Sequence, residues 1–166
     1  TFESIREPMK STLICLLILC SIPLSAEELH GVITRVVDGN TVILATPDYE
    51  DLTILLKGID SPESGQRFSD ESRRLLENLL LGKRVSVQIH GKDRHGNRLA
   101  IFQVNGVDPR RELVKHGLAW TLEEDPELEA VREEARAQGK GIWEEADPTP
   151  PWIYRRQQAM LQVKSS

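Results

Sequence analysis

With 166 residues, a net charge of −5 and an isoelectric point near 5.4, the chain is long enough for one domain around a single core. It lacks the basic footprint of proteins that attract nucleic acid through their global field, so any affinity for a polyanion must rest on a local patch. Both cysteines, Cys15 and Cys20, lie in one apolar stretch near the start, which excludes a disulfide framework, a zinc thiolate site and a cysteine nucleophile from everything after it.

The text opens on Thr1, and from Met9 it reads as a secretory signal. Lys10 forms a charged n-region, an apolar run extends from about Leu13 to Leu24, and small Ser25 and Ala26 precede Glu27 and Glu28. Ser21 and Pro23 break the run, which is short for a membrane span of ~20 apolar residues. Residues 1–26 are therefore expected to be removed on export to the periplasm or medium. That leaves a folded domain over 27–156, a polar tail over 157–166, and no membrane association. Because the leader carries Arg6 and Lys10 against Glu3 and Glu7, its loss leaves the net charge unchanged.

Three alternating stretches follow, at 31–37, 41–46 and 52–59. They are rich in Val, Ile and Thr and separated by DGN and PDYED turns, which is a meander signature. A helix is predicted over 69–81, with Ser69 as N-cap, Leu75, Leu76, Leu79 and Leu80 as its apolar stripe, and Gly82 as its stop. Strands are predicted at 83–90, where Val85, Val87 and Ile89 alternate, and at 98–105. A short helix over 109–116 ends at Gly117, and a longer one starts at Asp125 and Pro126 and ends near Gly139. Trp143 and Trp152 fall in a Pro-rich segment expected to pack back as a strap. The basic pairs Arg73-Arg74, Lys83-Arg84 and Arg110-Arg111 read as solvated. Five short strands with one helix between the third and fourth give a mainly β, α+β fold: an OB-type five-stranded barrel with about three helices, an architecture that commonly binds oligonucleotides or sugars.

Within that order, GIDSPE (Gly58–Glu63) closes a strand and puts Asp60 and Glu63 in the next loop, while VVDGNT (Val36–Thr41) puts Asp38 and Asn40 in a tight turn. Oxygen donors at adjacent strand ends suit a hard cation such as calcium, or a general base beside a bound phosphate. The same residue types are also ordinary turn formers.

The ordered series VVDGNT, GIDSPE, DRHGNRLA (Asp93–Ala100), ELVKHGLAW (Glu112–Trp120) and GKGIW (Gly139–Trp143) resembles the staphylococcal nuclease (thermonuclease) family over about residues 31–156, and the closing PPWIYRR resembles the end of secreted bacterial members. The resemblance implies calcium-dependent hydrolysis of DNA and RNA phosphodiesters by a monomer that binds single strands. In it Asp60 is a metal carboxylate, Ser61 stands where a threonine carbonyl ligates, and Glu63 is the general base. It also exposes departures. Asn40 replaces the other metal carboxylate, Leu55 and Asn97 replace two phosphate-gripping arginines, and His95 replaces a tyrosine. An amide keeps an oxygen but loses a charge, which lowers calcium affinity, and leucine cannot imitate a guanidinium fork. Lys57, Arg98 and Arg94 are the candidate compensators, with Arg94 and His95 beside the substrate. The alternatives to a weak nuclease are an inactive module that binds nucleic acid or a protein partner, and, on OB analogy alone, a carbohydrate-binding barrel.

Overall fold

The computed structural model describes residues 27–122 and 125–165. The expected leader lies outside the described residues. Five strands close into a barrel in the order β1 (Glu27–Val36), β2 (Thr41–Ala45), β3 (Leu52–Leu56), β6 (Arg98–Ile101) and β5 (Arg84–Lys92), with β1 and β5 pairing to complete it. All neighbours are antiparallel except β3 and β6, which run parallel. A two-stranded ribbon, β4 (Ile59–Asp60) with β7 (Trp120–Thr121), flanks the barrel. The OB-type barrel expected from element order is the fold of this chain.

The barrel follows from period-two patterning. Leu52, Ile54 and Leu56 of β3 and Val85, Val87 and Ile89 of β5 point inward, so Thr53 and Leu55 face the other way. In β1 the alternation breaks at a register shift between Ile33 and Arg35. The inserted residue lets Ile33 and Val36, three apart, both reach the core.

Helix α1 (Ser69–Leu80) lays Leu76 and Leu80 on the barrel, and its buried Ser72 donates from Oγ to the Leu118 carbonyl at 2.9 Å. Its N-cap is Phe68, in the left-handed region at φ 67°, in place of the expected Ser69. The Phe68 carbonyl already accepts from Ser72 N–H, and the Arg67 guanidinium lies 4.5 Å from the centroid of the Phe68 ring, so packing rather than a hydroxyl starts the helix. Helix α2 (Pro109–Lys115) is capped by the Asp108 side chain, and α3 (Pro126–Ala137) by Asp125, whose side chain accepts from Glu127 and Leu128 N–H. Gly117, at φ +66°, ends the α2 segment where an added Cβ would lie 2.0 Å from the Lys140 carbonyl oxygen, so only glycine lets the 3-10 turn Gly141–Glu144 dock there.

The polar segment after Arg156 is helical: α4 (Pro151–Ser165) carries it as a largely exposed helix, the fourth α-helix among the described residues. Trp152 at its start is 38% exposed rather than packed, whereas Trp143 meets the buried Trp120 at 6.2 Å between ring centroids. No helix among the described residues is long and apolar enough to cross a membrane.

Candidate active site

The two acidic loops are brought together by backbone bonds and one close approach. Asn40 accepts from Leu56 N–H through its carbonyl at 2.8 Å, which seats the 38–41 turn on the end of β3. Asp60 is held from the other side, because β4 pairs with β7, Asp60 opposite Trp120, and Leu122 N–H donates to the Gly58 carbonyl at 2.9 Å. Gly39 lies against the loop after β4. A Cβ there would stand 2.0 Å from Ser72 Oγ and 2.6 Å from Ser61 Cβ, so the contact requires glycine.

These elements form a cleft of about 560 Å3 whose lining includes Asp38, Asn40, Leu55, Lys57, Asp60, Glu63, Asp93, Arg94, His95 and Arg155. Leu55 lines it because β3 alternation turns that residue out of the core. Ser61 is buried beside it, its Oγ without a partner among the described residues. Asn97 closes the 93–97 turn: its amide Nδ2 and backbone N–H donate to the two Asp93 carboxylate oxygens, each at 2.9 Å. These bonds hold the Asp93 carboxyl below the ordinary carboxylate range, the Asn97 side chain contributing most. The Arg98 guanidinium lies 5.4 Å from the centroid of the Tyr49 ring, whereas Lys57 lines the cleft.

Sequence reasoning missed the residue at the centre. Arg155, from the first turns of α4, donates from Nη1 and Nη2 to Asp60 Oδ1 and Oδ2 at 3.3 and 2.9 Å, and from Nη1 to Glu63 Oε1 at 2.5 Å. Helix α4 is fixed for this by Gln66, whose Nε2 donates to the Thr149 carbonyl at 2.9 Å, and by Tyr154 packed against Gly65. The basic end of PPWIYRR was the available signal, but it carries no indication of which arginine turns inward.

Burial pushes the Asp60 carboxyl above the ordinary range even though Arg155 pulls it down, with Glu63 and Asp38 adding to the rise. Arg155 is shifted upward as well, by its bond to Asp60: the rise favours the neutral form of the acid and the charged form of the base. A guanidinium stays charged across the accessible pH range, so Asp60 sets the state of the pair. Asp38 is likewise raised by burial, partly offset by the backbone N–H of Asn40 at 2.9 Å. A raised folded-state value means the folded protein holds the proton more readily than the unfolded chain. Stability is therefore lost as pH rises through that value. Asp38→Asn, which keeps an oxygen for the Asn40 N–H, is expected to raise the thermal midpoint by a few degrees at neutral pH. The gain should vanish in acid where Asp38 is already protonated; a gain that persists there would contradict the burial argument.

Among the described residues no group of three or more His, Cys, Asp or Glu is arranged to hold a metal ion, and the Asp60 and Glu63 oxygens already accept from Arg155. In this arrangement the Asp60 and Glu63 carboxylates serve Arg155 rather than a cation.

The family described as "Staphylococcal nuclease homologue" matches residues 53–145. The chain belongs to the staphylococcal nuclease family. It is 34% identical over 151 residues to an "uncharacterized endonuclease" of Escherichia coli, covering 89% of this chain and 98% of that protein. A second "uncharacterized endonuclease", from Haemophilus influenzae, is 32% identical over 129 residues, covering 76% and 72%. A "probable staphylococcal-like nuclease" of Oryza sativa subsp. japonica is 32% identical over 106 residues, 62% of this chain but 32% of that protein. For a staphylococcal nuclease domain, the cleft at the open end of the meander is thus the candidate active site.

Proposed function

We propose that this is an exported nuclease-family domain in which phosphodiester hydrolysis of DNA and RNA is weak or lost. The observation that carries the reading is the engagement of both Asp60 and Glu63 by one guanidinium. A glutamate that already accepts from arginine has less capacity left to hold and deprotonate a water, and an aspartate in the same fork has less to offer a metal. Leu55 supports the reading further: it lines the cleft as a hydrocarbon where transition-state charge would need a donor, and one such donor typically contributes about 10²–10³ in rate. Asn40, Ser61 and the calcium they would share belong to the ancestral site, with affinity reduced by the missing carboxylate. Export rests on the Met9–Ala26 text.

The second reading is an inactive module that binds single-stranded nucleic acid or a protein partner, favoured by Lys57, Arg94 and Arg155 lining the same cleft. The purified protein and its Glu63→Gln variant, incubated with single-stranded DNA and calcium, test the first. Both are expected to cleave equally slowly, within about threefold. A wild type faster than the variant by about 10² or more would show an intact general base and sink the proposal.

A further inference from the structure

The cleft mixes Asp38, Asp60, Glu63 and Asp93 with Lys57, Arg94 and Arg155. Left unneutralised, its carboxylates would repel a phosphate. Arg155 changes that balance because it bridges two of them. Its end-on edge, Nη1 and Nη2, is spent on Asp60, and the second Nη1 hydrogen goes to Glu63. The planar guanidinium has five N–H donors, so the Nε–H and the outer Nη2 hydrogen, which lie side by side, remain as a second fork. The side chain is 46% exposed, against 10% for Asp60, and it lines the cleft.

We propose that Arg155 is the phosphate-binding group of this cleft. It is held by Asp60 and Glu63 and presents its Nε/Nη2 edge to the phosphodiester of a single-stranded nucleic acid, without a divalent ion. It does from α4 what Leu55 and Asn97 cannot do from the barrel, since neither carries a cation and the Asn97 amide is committed to Asp93. Two carboxylates fix the fork beforehand, so less side-chain entropy is lost on binding than for a free surface arginine. The inference rests on the cleft being a nuclease-family site with weakened hydrolysis, and it specifies what that site still binds.

Fluorescence anisotropy of a labelled single-stranded oligothymidylate, at low salt and in either EDTA or calcium, tests it. The wild type is expected to bind equally well in both, within about twofold. Arg155→Gln is expected to weaken binding by about tenfold or more, the loss of one charge-assisted contact, with Arg155→Lys between the two. Arg156→Gln, on the neighbouring exposed position, should bind as the wild type does. Thermal midpoints check that each variant is folded, and the lysine variant keeps a readout should the glutamine variant unfold. The proposal is overturned if Arg155→Gln binds as tightly as the wild type or more tightly, if the wild type binds only with calcium, or if the wild type does not bind. Cleavage measured on the same samples is a separate readout: rapid cutting by the wild type would remove the weak-hydrolysis reading while the binding comparison still decides the role of Arg155.

Discussion

Arg110→Ala is expected to destabilise the domain by about 3 kcal/mol or more, whereas Arg111→Ala next to it should change stability by less than about 0.5 kcal/mol. Arg110 is 8% exposed, contrary to the expectation of a solvated pair. Its Nη2 meets Asp108 Oδ2 at 2.6 Å, Nε spans both Asp108 oxygens at 3.1 Å, and Nη1 donates to the Lys57 carbonyl at 3.3 Å. Asp125, the cap of α3, stands 3.9 Å from the same Nη1. Truncation would remove the guanidinium bonds to the Asp108 carboxylate, leaving it the cap bond from the residue 110 N–H, and the bond to the Lys57 carbonyl, and breaking a buried pair is far more damaging than losing a surface one. A fall in thermal midpoint of roughly 10 °C is the corresponding scale for a domain of this size. Equal effects at 110 and 111 would mean the buried network is not the anchor described.

If the proposed loss of family groups at 40, 55 and 97 holds, putting them back should raise activity only when Arg155 is removed as well. The triple variant Asn40→Asp, Leu55→Arg, Asn97→Arg supplies a carboxylate and two guanidinium groups, but leaves Asp60 and Glu63 engaged by Arg155. With Arg155→Gln added, cleavage of single-stranded DNA in calcium is expected to exceed the wild type by about 10² or more, the scale of one preorganised donor. The triple alone should stay well below the quadruple variant. Individual gains need not multiply, because the groups act as a unit, and Asn97→Arg gives up the amide bond to Asp93. A quadruple variant as slow as the wild type would show that the cleft geometry has drifted beyond repair by substitution.

Much of the barrel was legible because its signals are local. Val85, Val87 and Ile89 announce a strand with one face inward, and Asp125-Pro126 announces a helix start; both are observed. The acidic turn and the GIDSPE loop were legible as neighbours through motif order. What stayed hidden depends on contacts distant in sequence. Arg110 and Arg111 look alike as text, and only the phase of α2 against Lys57 and Asp125 separates them. Helix α4 has no apolar stripe to reveal it, and its placement comes from Gln66 on Thr149, Tyr154 on Gly65 and Arg155 on Asp60. Phe68 gives no N-cap signal in the sequence because a left-handed aromatic at a helix start contradicts local propensity, and tertiary packing overrides it.

The pairing of β1 with β5 has a kinetic consequence. Glu27 opposite Ile89 and Val32 opposite Arg84 join segments separated by most of the first half of the domain, and the parallel β3–β6 pairing likewise needs a long excursion through α1. Hairpin β1–β2–β3 can form early from neighbouring residues, but ring closure must wait for the entropy of a large loop to be overcome. Refolding should therefore be limited by closure. Weakening the seam at Val85 or Val87 should slow folding, while comparable truncations in α3 should chiefly speed unfolding.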